Sequence, residues 1–83
     1  MAEIRFTRRA LRDIRKMTPE TRRRLEVALD QPIDNPTTGD PLHGEWRGYW
    51  KLRMGVHRII YSIIGMDVVE IQYVRRRREA YRR

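Results

Sequence analysis

Residues 49–64 read Tyr-Trp-Lys-Leu-Arg-Met-Gly-Val-His-Arg-Ile-Ile-Tyr-Ser-Ile-Ile. From Tyr49 to Met54 the side chains alternate. Trp50, Leu52 and Met54 fall on one face and Tyr49, Lys51 and Arg53 on the other, the pattern of a strand with one side buried. His57–Ile64 is apolar on both faces, as suits a strand inside a sheet. Gly55–Val56 between them fits a two-residue type II′ turn, which wants glycine first. That turn fixes the register. Trp50 faces Tyr61 and Leu52 faces Ile59, good cross-strand pairs for a covered side. On the other side Arg53 faces Arg58, and Lys51 lies opposite Ile60. Like charges set directly opposite destabilise a sheet, so packing gives no reason to place them there. An anion such as phosphate bound between them does.

Working outward, Gly65–Met66 turns the chain again and Asp67–Val74 forms a last strand, followed by a basic tail over residues 75–83. Before the hairpin, residues 34–48 are a loop rich in Asp, Pro and Gly. Ala2–Phe6 reads as a short first strand with Ile4 and Phe6 on one face. Thr7 caps a helix whose stripe is Ala10, Leu11, Ile14 and Met17. Thr18 caps a second helix with Pro19 at its first position and Leu25, Ala28 and Leu29 as its apolar face. Pro32 and Asn35–Pro36 end it. The order is β-α-α-β-β-β. It predicts one α+β domain over residues 1–83, with an N-terminal helical hairpin packed on one face of a small, mostly antiparallel sheet.

A chain of 83 residues has room for one domain and buries only about 60% of its unfolded surface. With no cysteine, a disulfide framework, a zinc–thiolate site and a cysteine nucleophile are excluded. His43 and His57 match no metal-ligand spacing, so neither a metal nor another cofactor is expected. No apolar run approaches a membrane span, and the first ten residues are too charged for a secretory signal, so a cytoplasmic protein without a membrane partner is expected. Nineteen basic residues, seventeen of them arginine, oppose eleven acidic ones for a net charge of +8. Residues 46–83 carry +7 of it. An excess so placed points to an acidic partner, nucleic acid above all.

Several motifs carry a resemblance. Leu42-x-Gly44, Gly48-Tyr49-Trp50-Lys51-Leu52-Arg53, Gly55-x-His57-Arg58-Ile59-Ile60-Tyr61 and an arginine-rich end closing in Glu79-Ala80-Tyr81 resemble the RelE/ParE toxin superfamily along essentially the whole chain. The Gly-Tyr-Trp start is also similar to YoeB, and the Arg…Tyr tail is more similar to RelE. The resemblance implies the RelE-like microbial ribonuclease fold and the toxin of a type II toxin–antitoxin system. RelE-like members cut messenger RNA in the ribosomal A site. ParE-like members poison DNA gyrase by binding. An antitoxin holds either inactive, and operator DNA is met only through the toxin–antitoxin complex. An acidic antitoxin segment is expected to cover Lys51, Arg58 or the tail.

Metal-free RNA cleavage needs a base for the 2′-hydroxyl proton, cations for the charge on the phosphorane, and a proton donor for the 5′-oxygen. Cations beside a lysine disfavour its charged form and suit it to accept a proton. Lys51, beside Arg53 and Arg58, is that lysine, and the resemblance implies a catalytic role for it. The resemblance implies that Arg58 stabilises the transition state. It implies that Tyr81 stacks on a base or positions the nucleophile, and that Arg77, with Arg75 as the alternative, is the tail arginine. RelE has a second lysine where this chain has Tyr49. Arg53, Arg75 and Arg47 are the expected phosphate contacts. Blander readings stand beside these: a solvated tail over Arg75–Arg78, and Tyr81 as an anchor of that tail. His57 shares the core face with Ile59 and Tyr61 and reads as structural. Trp46 reads as core edge, or else as a platform for a base. Two further functions remain open: a gyrase inhibitor, and a silent nucleic-acid-binding module.

Overall fold

A computed structural model describes residues 2–76. The elements are β1 (Glu3–Phe6), α1 (Arg8–Arg15), α2 (Pro19–Asp34), β2 (Asp40–Pro41), β3 (Tyr49–Met54), β4 (His57–Ile64) and β5 (Val68–Arg76). The five strands lie in the order β1-β5-β4-β3-β2. β1 runs parallel to β5, and the other neighbours are antiparallel. The α+β architecture and its element order are those the sequence predicts, with one two-residue strand added inside the predicted loop.

The hairpin has the predicted register throughout: Trp50 opposite Tyr61, Leu52 opposite Ile59, Arg53 opposite Arg58. Gly55 has φ 59°, and among the described residues no non-glycine residue has positive φ, the signs of a type II′ turn. The Trp50 and Tyr61 rings stack with centroids 6.4 Å apart. Ile59, Tyr61, Val69, Ile71, Val74 and Met54 form the buried sheet face, closed by Ala10 of α1 and by Leu25 and Leu29 of α2.

Both helices begin as their sequences dictate. Thr7 accepts from the Ala10 N–H and Thr18 from the Thr21 N–H, each filling one donor that a helix start leaves open. Leu11, expected in the stripe of α1, is 46% exposed, and Asp13 is buried in its place. Phe6 is 38% exposed while Ile4 packs on the core. Pro32 does not end α2. It sits inside the last turn, fully buried, and the helix runs on to its cap at Asn35. A proline there forgoes one backbone bond, and burial of its ring offsets that loss.

Tyr61 ties the loop to the sheet. Its hydroxyl donates to the Pro36 carbonyl at 2.7 Å and accepts from the Gly39 N–H at 3.1 Å. Gly39 permits this approach, because a Cβ there would stand 2.7 Å from the Lys51 carbonyl oxygen and from the Tyr61 hydroxyl. Asp40 and Pro41 can then pair with Lys51 and Trp50 as β2.

β5 departs from the expected strand in two ways. It extends past Val74 to Arg76, into what the sequence presents as tail, because Arg75 and Arg76 pair with Arg58 and His57 of β4. It also bulges. Ile71 faces Tyr61 and Tyr73 faces Ile60, so Gln72 is the extra residue. Residues 69, 71 and 74 therefore turn into the core, while Tyr73 and Arg75 join Glu70 and Gln72 on the outer face.

Burial raises the Tyr61 phenol above 10.0, with Asp40 adding to the shift and the Gly39 N–H opposing it. The unfolded chain thus releases this proton first, so the stability is complete below pH 10 and declines as pH climbs through the folded-state value. Tyr61→Phe leaves the Gly39 N–H and Pro36 C=O without their hydroxyl. It is expected to cost about 1–3 kcal/mol in urea unfolding at pH 7 and to flatten part of the alkaline decline.

Candidate functional site

The outer face of the sheet carries the charge. Arg53, Arg58 and Arg75 stand directly opposite one another on β3, β4 and β5, three arginines in one cross-strand row. Lys51 is two residues along β3 on the same face, in the row Lys51–Ile60–Tyr73. Neighbouring strands are about 4.8 Å apart, so these cations are held at close quarters by the hydrogen-bond ladder itself. Arg53 is exposed, Lys51 half-buried and Arg58 only 4% exposed. Arg58 thus presents a buried guanidinium in the middle of the row rather than a surface contact.

Arg75 is held differently. Its Nη1 donates to Asp13 Oδ1 at 3.1 Å, and the other carboxylate oxygen accepts the Val74 N–H at 3.2 Å. Asp13 therefore serves two ends. It satisfies a backbone donor on the edge of β5 that β1 no longer reaches, and it offsets the charge of Arg75. The sequence reading missed Asp13. The signal was there: it is the lone acid among the polar positions of α1, and it falls at i+3 from Ala10 and i−4 from Met17, on the buried stripe.

Of the other expected residues, Arg47 is exposed in the loop that leads into β3, off the arginine row. Arg77 and Tyr81 lie outside the described residues. His57 is half-buried at the end of the core face, opposite Met54 and Arg76. Trp50 packs on the core, as read, but Trp46 does not. Its ring meets Tyr49 and Tyr73 edge-on at 5.9 Å and 6.3 Å, over the outer face. The Arg9 guanidinium of α1 covers Tyr73 at 4.3 Å from the ring centroid. Burial pushes the Tyr73 phenol up, and Arg9 and Arg75 oppose the shift. Among the described residues no helix is long and apolar enough to cross a membrane.

The face thus offers a fixed row of guanidiniums suited to a phosphate, a lysine beside it, and an aromatic cluster at its border. The sequence model of a family described as the ParE toxin of the type II toxin–antitoxin system parDE matches residues 4–81. Among solved structures, the RelBE2 toxin–antitoxin complex of Mycobacterium tuberculosis contains a chain 32% identical, with a TM-score of 0.81, covering 92% of this chain and 98% of that one. The isolated RelE toxin of E. coli superposes with a TM-score of 0.79 at 24% identity, over 92% of this chain and 84% of that one. YafQ of E. coli shares the fold at 13% identity, with a TM-score of 0.76 and 98% and 99% coverage. No curated protein sequence is significantly similar to this chain.

Asp13→Ala is expected to destabilise the protein by about 1.5–3 kcal/mol, the range of a hydrogen bond to a charged group. Arg75→Ala removes only the half-exposed partner and is expected to cost less. Urea unfolding of the two variants beside wild type measures the order. A larger loss for Arg75→Ala would contradict the bridging role of Asp13.

Proposed function

The chain belongs to the ParE toxin family of type II toxin–antitoxin systems, within the RelE/ParE superfamily, and on that footing we propose that it is a cytoplasmic, ribosome-dependent messenger-RNA endonuclease that arrests translation. The observation that carries this reading is the register that sets Arg53, Arg58 and Arg75 in one row with Lys51 beside them. A gyrase poison of this fold has no need of such a constellation. A nuclease that works through its own side-chain cations does.

In this mechanism the 2′-oxygen of one nucleotide attacks the adjacent phosphorus, and the bond from phosphorus to the 5′-oxygen breaks. The products are a 2′,3′-cyclic phosphate and a free 5′-hydroxyl. Lys51 takes the 2′-hydroxyl proton, and solvent water returns a proton to the departing 5′-oxygen. Arg53 and Arg58 hold the charge that builds on the non-bridging oxygens, and their fixed positions spare the site any reorganisation at the moment of reaction. Arg77 and Tyr81, taken from the resemblance, complete the catalytic set. Arg75 and Arg47 contact flanking phosphates. The ribosome supplies the orientation of the 2′-hydroxyl that a purely cationic site lacks. A cognate acidic antitoxin covers this face, as the relatives solved as toxin–antitoxin complexes suggest, and operator DNA is reached only through that complex. Binding also stabilises the small core by linkage.

The second reading, inhibition of DNA gyrase by binding, is favoured by one observation: the family whose model matches is named for the ParE toxin. In-vitro translation followed by primer extension separates the two. Wild type is expected to cut the message at A-site codons. Arg58→Ala is expected to lower cleavage about 100-fold, as loss of one transition-state donor does, and Tyr81→Phe to lower it less. Arg58→Lys keeps the charge but loses the fork, and its melting curve shows whether a lost activity is a lost fold. Intact message with ongoing translation, together with blocked supercoiling by gyrase, would replace the nuclease reading with the second one.

A further inference from the structure

The aromatic cluster at the border of the arginine row has no place in the cleavage chemistry and lies outside the core cluster between sheet and helices. Trp46, Tyr49 and Tyr73, with Arg9, Thr7 and Gln72, line a cleft of about 250 Å³ on the outer face. Three features give it shape. The β5 bulge turns Tyr73 outward, where it faces Ile60 rather than the core. The Thr7 hydroxyl fixes that bulge by donating to the Gln72 carbonyl at 2.6 Å. The Gln72 amide nitrogen is held by Ser62 at 2.9 Å and Glu70 at 2.8 Å, so the polar wall is fixed as well. Trp46 closes the cleft from the loop before β3, edge-on to both tyrosines.

We propose that this cleft receives one unstacked nucleobase of the RNA strand whose phosphates lie on Arg53 and Arg58. This rests on the nuclease reading and adds a base-recognising subsite to it. The lining fits a base better than an aliphatic side chain. A nucleobase has a π-face for Trp46 and Tyr49 and polar edges for Gln72, and aromatic platforms joined to arginine are how proteins hold single-stranded bases. Position fits as well. Tyr73 and Lys51 sit in one cross-strand row with Ile60 between them, about 10 Å apart by two inter-strand steps. A base in the cleft would therefore belong to a nucleotide next to the one whose phosphate meets the arginines. Trp46 is the specificity-determining residue in this arrangement, since Tyr73 is already covered by Arg9 and only 6% exposed.

The test uses the full chain and 2′-O-methyl RNA hexanucleotides, which cannot be cleaved, in fluorescence anisotropy at low salt. One oligonucleotide is intact, and six others each carry a single abasic residue. Wild type is expected to lose about tenfold in affinity for one abasic position and little for the rest. Trp46→Ala is expected to bind the intact strand about as weakly as wild type binds that abasic one, and to be indifferent to the lesion. Trp46→Tyr, which keeps a platform, restores most of the discrimination and shows that the alanine effect is not misfolding. Equal affinity of wild type for all strands, discrimination that survives in Trp46→Ala, or no binding to any strand would each overturn the subsite. None of these outcomes touches the nuclease reading, which is decided on ribosomes by cleavage. Conversely, base discrimination with no A-site cutting would retain the cleft and remove the nuclease.

Discussion

A strand inside a sheet must satisfy backbone groups on two sides, and β5 loses one partner halfway. β1 accompanies it only from Val68 to Ile71. Beyond that point the chain that was β1 becomes α1, and two of its side chains take over the edge. The Thr7 hydroxyl donates to the Gln72 carbonyl, and the Asp13 carboxylate accepts from the Val74 N–H. An unsatisfied buried backbone group costs about 1–3 kcal/mol, so this substitution of helix for strand holds the second half of β5 in place. The bulge at Gln72 sits at the handover. It reverses which side chains face the core, and so decides that Tyr73 and Arg75 stand on the outer face with Lys51, Arg53 and Arg58. The arginine row and the aromatic cleft both depend on that one irregularity.

The row itself runs against sheet stability. Two unit charges at about 4 Å repel by roughly 1 kcal/mol in water and more where solvent is excluded, and Arg58 is nearly out of solvent. The ladder leaves the three residues no freedom to separate. Asp13 offsets Arg75 from the far side, where it does not obstruct the face between the strands. What remains is a row of cations fixed by the ladder, at which a bound anion would lower the repulsion and stabilise the fold by linkage. The same reasoning accounts for the asymmetry of charge along the chain, because β3, β4, β5 and the tail supply nearly all of the excess.

The hairpin was legible in the sequence because two independent signals agree there: a period of two on both arms, and a glycine-first turn that leaves one register. The caps at Thr7 and Thr18 were legible for the same reason, a local side chain meeting a local need. The irregular features were hidden because their causes are non-local. The bulge shows only as a break in alternation, with Val69 and Ile71 followed by Val74 rather than by an apolar residue 73 that turns inward. Asp13 could be placed only once the end of β1 was known. Pro32 looked like a helix end because the sequence does not show that its ring would be buried. For the site, Lys51, Arg53, Arg58 and Arg75 share a face as expected for the first three by alternation alone. Trp46 and Tyr73 gather only through the loop and the bulge.

The fold by itself does not choose among the activities it hosts, since function is carried by side chains placed on a scaffold. Chains 13–32% identical share this one with TM-scores from 0.76 to 0.81. In this chain the fold rests on the core face: apolar positions on β3–β5 and the two helices that cover them. The outer face is not covered by the helices, and its central positions Arg58, Ile60 and Tyr73 are nonetheless buried. This chain fills those positions with guanidiniums that oppose one another and with rings that leave the core. The opposed guanidiniums run against stability, whereas Tyr73 gains burial and a cation–π contact with Arg9.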